Sequence, residues 1–199
     1  MGVNLNSKPL TIVMLGLVFS MRIEDEALLR VAELMALSAR TAPKARGVDS
    51  LSTAIVYGED KERLAKVMEE LADELGQAFF KRDAQNVRQS SVILLLAVKA
   101  TEPKRLDCSA CGYKMCSDFE KVPKSMGRAY RGPTCAMCIV DLGIAAGSAA
   151  KTASILNADN RIMYTVGTAA LRLGLIEGDV ALGIPLSATG KSPYFDRKF

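Results

Sequence analysis

The sequence predicts an α+β domain with an irregular, cysteine-rich excursion, and three observations carry that reading. Two stretches, Glu24 to Arg40 and Glu59 to Leu75, repeat apolar residues at helical spacing. One stretch, Ser91 to Val98, is an almost continuous apolar run of strand length, as expected for a strand buried on both faces. Between about 100 and 138 the pattern breaks into a segment rich in Gly, Pro and Lys that contains all five cysteines of the chain.

Taken in order, the first helix places Leu28, Val31, Leu34 and Met35 on one face. Acids in its first turn and Arg40 in its last suit the helix dipole. Ala42-Pro43 then turns the chain, and Leu51 to Tyr57 reads as a strand. The second helix, with Leu64, Val67, Met68 and Leu71 in register, is stopped by Gly76, and a short helix through Arg82 to Arg88 follows. After the excursion, Cys138 to Leu156 is an alanine- and glycine-rich helix with Leu142, Ala145, Ala146, Ala149 and Ala153 on one side. Its small side chains permit close approach and place it centrally. A strand at Arg161 to Val166, a short helix at Thr168 to Leu173, a turn at Glu177-Gly178-Asp179 and a strand at Val180 to Ser187 complete the order. Ala188 to Phe199 reads as a loop, and no internal repeat is present.

Composition bounds the function. The 199 residues are 49% hydrophobic and 24% charged, enough for one compact domain. Residues 1–20 are set apart as an N-terminal extension or arm, and 21–199 form the domain. The apolar run Leu10 to Phe19 is too short to span a bilayer; a signal peptide is the alternative, but the thiols favour a cytoplasmic protein with no membrane partner. There is no histidine, which excludes Ser-His-Asp and Cys-His nucleophile systems and histidine-ligated zinc. A net charge of +4, no tryptophan and few aromatics argue against nucleic acid. The charge is local: Lys99 to Arg131 holds eight basic residues against four acidic ones, the whole excess of the chain.

That basic segment overlaps the cysteines, spaced C-x2-C-x4-C-x18-C-x2-C. Two four-thiolate sites can be cut from this pattern. In one, Cys108, Cys111 and Cys116 ligate a [4Fe-4S] cluster from a tight loop eased by Gly112, Cys135 closes it, and Cys138 is spare or an alternate ligand. In the other, Cys108/Cys111 and Cys135/Cys138 form a zinc site of two CxxC knuckles and Cys116 is left over. An anionic cluster would be offset by the surrounding lysines and arginines, which favours the first.

The stretch Cys108-Ser-Ala-Cys111-Gly-Tyr-Lys-Met-Cys116-Ser-Asp-Phe119 resembles the small four-iron domain of corrinoid iron-sulfur proteins and membrane-linked electron-transfer subunits. More broadly, Ser38 to Asp49, the cysteine stretch, Asp141 to Lys151 and Gly183 to Phe195 resemble an uncharacterised prokaryotic family of ferredoxin-domain-containing proteins. The order of elements is also similar to that of flavin-dependent nitroreductases, whose fold is a mixed sheet flanked by helices, usually in a homodimer. That resemblance places Lys44, Arg46 and Gly47 in the flavin-binding loop after Ala42-Pro43. It makes Arg40 and Lys191 candidates for the FMN phosphate. Gly47 stands where that loop usually offers an asparagine, and Asp49-Ser50-Leu51 where it has Gln-Pro-Trp.

The expectation is therefore an iron-sulfur redox protein that transfers electrons through one [4Fe-4S] cluster, extended where FMN is bound to a flavin/iron-sulfur oxidoreductase of a small organic substrate, with an acidic electron-transfer protein as partner. The alternative is a non-catalytic binding module stapled by zinc.

Overall fold

The computed structural model describes residues 22–195. The expected arm at 1–20 and the last residues of the tail lie outside the described residues. The helices are α1 (Ile23–Thr41), α2 (Glu59–Leu75), α3 (Phe79–Gln89), α4 (Cys116–Lys121), α5 (Ala136–Ile155) and α6 (Tyr164–Leu173). The strands are β1 (Leu51–Val56), β2 (Val92–Val98), β3 (Ser125–Met126), β4 (Arg131–Gly132), β5 (Asp159–Asn160) and β6 (Val180–Ser187).

The main sheet has the order β1-β2-β6-β5, with β2 pairing Leu51↔Val98 on one side and Val98↔Val180 on the other. Every pairing among the described residues is antiparallel, so a parallel neighbour that would make the sheet mixed is not among them. All seven residues of β2 are buried, because helices cover both faces of this central strand. Val92, Leu94, Leu96 and Val98 pack with α1 and α5. Ile93, Leu95 and Ala97 pack with α2, α3 and α6. Period-2 alternation thus feeds two separate cores, and the apolar run of the sequence needs no polar side.

α2 ends where Gly76 takes a left-handed φ of 65°, and the Gln77 N–H returns to the Ala72 carbonyl. α5 buries the predicted Leu142, Ala145, Ala146, Ala149 and Ala153. It is not central, however: it lies beside α1 on one face of the sheet and leaves Val140, Gly143, Ile144 and Gly147 exposed. It is long and apolar enough to cross a membrane, as core helices often are.

The predicted strand at Arg161 to Val166 is overturned. Only Met163 makes a bridge, to Gly183, and Tyr164 already starts α6. The β-branched and aromatic residues there suggest a strand, but packing decides otherwise. Gly167 lies so close to β6 that an added Cβ would collide with the Ala181 carbonyl, and Gly183 leaves room for Val166. The excursion is also less irregular than expected: it contains α4 and the β3–β4 ribbon, pinned by the fully buried Phe119.

Candidate functional site

The cysteine segment leaves the end of β2, where Thr101 donates from its backbone N–H and its hydroxyl to Asp179 Oδ2 at 2.9 and 2.7 Å. Residues 105–112 then take left-handed conformations at Arg105, Asp107, Ser109 and Gly112. Three of these are not glycine, a backbone cost that needs compensation. Asp107 Oδ1 compensates by accepting from the Cys116 N–H at 2.7 Å, tying the loop to the head of α4. Backbone that alternates in hand turns successive N–H groups toward one concavity, a form suited to anions and to iron-sulfur centres. Tyr113 meets Phe119 edge-on, and the Lys124 ammonium lies 3.8 Å from the Phe119 ring centroid.

Cys135 stands at the head of the 20-residue α5, its N–H held by the Ala100 carbonyl at 2.7 Å. Burial would raise its thiol pKa. The nearby backbone N–H groups of Lys104, Cys138 and Met137 outweigh burial and hold it below the ordinary 9.0. Cys138, one turn on and fully buried, behaves in the opposite way: burial and the neighbouring Cys135 push its thiol up to about 12. Its Sγ donates to the Glu102 carbonyl at 3.4 Å.

All five thiols are free; Cys108 is exposed, and Cys111 and Cys116 are half-buried. Cys111 packs against the same core as Cys135 and Cys138. Among the described residues no three cysteine or carboxylate side chains converge on one point. The structure therefore brings the second CxxC pair together and leaves the first three cysteines on the loop beside it.

The residues assigned to FMN are placed differently from one another. Arg40 donates to Asp49 Oδ2 at 2.6 Å and to the Leu51 carbonyl at 2.7 Å. Lys44 caps α1 by donating to the carbonyls of Ala39, Arg40 and Ala42. Arg46, with φ of 57°, donates to the carbonyls of Lys104 and Arg105 at 3.2 Å each. Gly47 is left-handed beside it. The Lys191 carbonyl accepts from the Thr189 hydroxyl, far along the chain in the tail. Three basic side chains are thus spent on the protein's own carbonyls and carboxylate, and they form no phosphate cradle.

Sequence reasoning missed the contact that ties this loop to the cysteines. Lys104 Nζ lies 3.1 Å from Asp141 Oδ2 in the interior and also donates to the Val48 carbonyl. Asp141 Oδ1 accepts from the Ala45 N–H at 2.9 Å. One signal was available: Asp141 is the sole acid in an apolar helix, spaced with Cys138, Leu142 and Ala145 on the face that becomes buried. A carboxylate in such a place needs a buried partner.

Residues 131–197 match the model of the DUF2148 family, described as uncharacterized protein containing a ferredoxin domain. An uncharacterized protein of Archaeoglobus fulgidus is 48% identical over 174 residues, covering 87% of this chain and 94% of its own. The chain belongs to this family. Among solved structures, a Desulfitobacterium hafniense nitroreductase with bound FMN is similar in fold, with a TM-score of 0.51 and 17% identity over 89% of this chain and 85% of its own. NfrA1 of B. megaterium gives a TM-score of 0.51 at 13% identity, covering 85% of this chain; the chain spans 61% of its length. This chain thus has a nitroreductase-like fold, as its order of elements implies.

Proposed function

We propose that this family member is an iron-sulfur redox protein that carries one [4Fe-4S] cluster on Cys108, Cys111, Cys116 and Cys135. The observation that carries the reading is the setting of Cys135, a buried sulfur at the head of α5 in the same core as Cys111 and Cys138, with the backbone N–H groups of Lys104, Met137 and Cys138 near enough to hold its thiol below the ordinary value. Such donors stabilise a thiolate without titrating themselves. The left-handed residues between Arg105 and Gly112 give the loop that carries the first three cysteines the alternating backbone that suits an anionic centre. The ferredoxin domain named in the family description points the same way.

The donor set fits such a group: soft thiolates, no histidine, and a basic segment to offset negative charge. A bound cluster would supply one-electron transfer. The protein's part is to close the Cys108–Cys116 loop onto Cys135, hold Cys138 as a protonated neighbour through Glu102, and fix the loop's base with Arg46 and the Lys104–Asp141 pair. Leu106 and Met115, both exposed, flank the cysteines and would form the apolar centre of a docking face for an acidic electron-transfer protein. The exposed apolar face of α1 and α5 supports a homodimer.

FMN does not fit Arg40, Lys44 and Arg46 while they hold their internal partners, so no flavin step is drawn through them.

The test is anaerobic purification with iron, sulfide, zinc and flavin measured on one sample. About four irons and four sulfides per chain, with a band near ~400 nm that bleaches on reduction, are expected. About one zinc in a colourless sample overturns the reading in favour of a structural module. Stoichiometric FMN would extend it to two-electron reduction of an organic substrate.

A further inference from the structure

Where the excursion returns to the fold, a cleft of about 540 Å³ opens between the β3–β4 ribbon and the C-terminal part of α6. That is within the usual range of small-molecule sites, roughly 300–1,000 Å³. Apart from Met126 and Ala129, its walls come from the 131–197 stretch that matches the family model. None of the five cysteines lines it, nor does any residue assigned to flavin.

The polar groups around the cleft are unequally committed. Asp179 spends Oδ2 on the two Thr101 donors. Arg172 is held in a two-pronged contact by Glu74, at 3.2 Å for each nitrogen. The Thr168 hydroxyl donates to the Tyr164 carbonyl at 3.0 Å, which leaves its oxygen able to accept. Arg131 differs: its backbone N–H reaches the Asp179 carbonyl, but its guanidinium has no hydrogen bond or ion pair among the described residues. Leu171 and Ile176 give the cleft an apolar wall, and exposed Met126 stands at its rim. Gly178 keeps the backbone close to β2, since an added Cβ would come within 2.8 Å of Ala97 Cβ.

We propose that this cleft binds a small organic carboxylate, its acid group on Arg131 and its apolar body between Met126, Leu171 and Ile176. A guanidinium fork matches a carboxylate in two parallel hydrogen bonds, and an apolar wall rewards a hydrocarbon body over a bare anion. Glu177, exposed at the edge, adds a place for an ammonium and so separates two sources of the same chemistry, a simple acid and an amino acid.

Titration of the full-length protein with phenylacetate, phenylalanine and acetate, followed by amide NMR shifts, tests this. Saturable binding of phenylacetate or phenylalanine, with shifts centred on Arg131, Thr168 and Gly178, is expected, and acetate should bind at least about 10-fold more weakly for want of an apolar body. Arg131→Gln should weaken binding by about 10-fold or more while leaving the fold intact, because that side chain holds nothing in the protein. Phenylalanine preferred over phenylacetate, with the preference lost in Glu177→Gln, makes the ligand an amino acid; equal binding makes it a simple acid. No saturable binding of either aromatic acid, or undiminished binding by Arg131→Gln, overturns the proposal. The outcome is independent of iron content, so it stands or falls apart from the cluster reading.

Discussion

The Lys104 ammonium and the Asp141 carboxylate meet at 3.1 Å in the interior, with only 2% and 5% of their side chains exposed. Asp141 Oδ2 has no hydrogen bond and depends on this ionic contact. Lys104 belongs to the cysteine loop, and Asp141 to α5, one turn beyond Cys138. Through the Ala45 N–H and the Val48 carbonyl the same pair holds the 45–50 turn. Breaking a buried pair from one side leaves the other charge uncompensated. Asp141→Ala should therefore cost about 3–5 kcal/mol in urea denaturation, while Lys104→Met with Asp141→Leu recovers most of it. Equal losses in the single and double variants would show that the site does not bury its charges as described.

Helix α6 and strand β6 approach through glycine. A Cβ at Gly167 would strike the Ala181 backbone, which cannot rotate away, so Gly167→Ala should destabilise by roughly 2–4 kcal/mol. At Gly143 and Gly147 nothing lies within 4 Å. Both occupy interior turns of α5, and alanine there should stabilise the single chain by about 0.5–1 kcal/mol. Thermal melts of the three variants give opposite signs if the packing is as described.

These glycines mark where the sequence was readable and where it was not. Amphipathic periodicity located α1 and α2 closely, because each buries one stripe against the sheet and α2 has Gly76 to stop it. β2 was legible as an uninterrupted apolar run because it is covered twice. The start of α6 was not, since Tyr164-Thr165-Val166 favours a strand locally and only contact with β6, distant in sequence, reverses that. At the site, the cysteine spacing was visible, but Arg46 was read into the flavin-binding loop, and its guanidinium meets the carbonyls of Lys104 and Arg105 in the cysteine loop. No local pattern distinguishes a guanidinium that meets a ligand from one that meets a carbonyl 58 positions away.

Alkaline pH should unfold the protein progressively. Burial pushes the Tyr130 phenol up to about 12, while it donates to the Ala181 carbonyl at 2.6 Å. Because the folded value exceeds the unfolded 10.0, this contribution is intact below pH 10 and is lost as pH rises toward 12. A shift of that size corresponds to roughly 2–3 kcal/mol. Tyr194, also raised by burial, acts in the same direction. Urea titrations between pH 8 and 12 should show the fall, and Tyr130→Phe should flatten part of it; an unchanged slope would count against the buried phenol.

The exposed stripe of Val140, Gly143, Ile144 and Gly147 lies on the N-terminal and middle turns of α5, and exposed Leu34 and Leu37 of α1 lie beside Ile155 and Leu156 at its other end. An apolar face of this kind on a helix with a single acid suits a second copy of the chain. Ile144→Glu should convert a dimer to a monomer in analytical ultracentrifugation without lowering the melting temperature of the single chain. A wild-type monomer at micromolar concentration would remove the homodimer from the reading.

Cysteine substitution separates the two metal readings because they disagree on two residues. Cys116 sits at the head of α4 on the loop and is needed for the cluster but not for the paired-CxxC zinc site. Cys138 is fully buried with its thiol on the Glu102 carbonyl, and a serine hydroxyl there can keep that hydrogen bond. Cys116→Ser should therefore abolish iron and sulfide content, and Cys138→Ser should leave most of both. Zinc would reverse the pattern, since Cys138 is one of its four thiolates and Cys116 is not. Cys135→Ser fails in both schemes, which makes it the control: loss of metal there, with the α/β fold retained by circular dichroism, ties either metal to the head of α5.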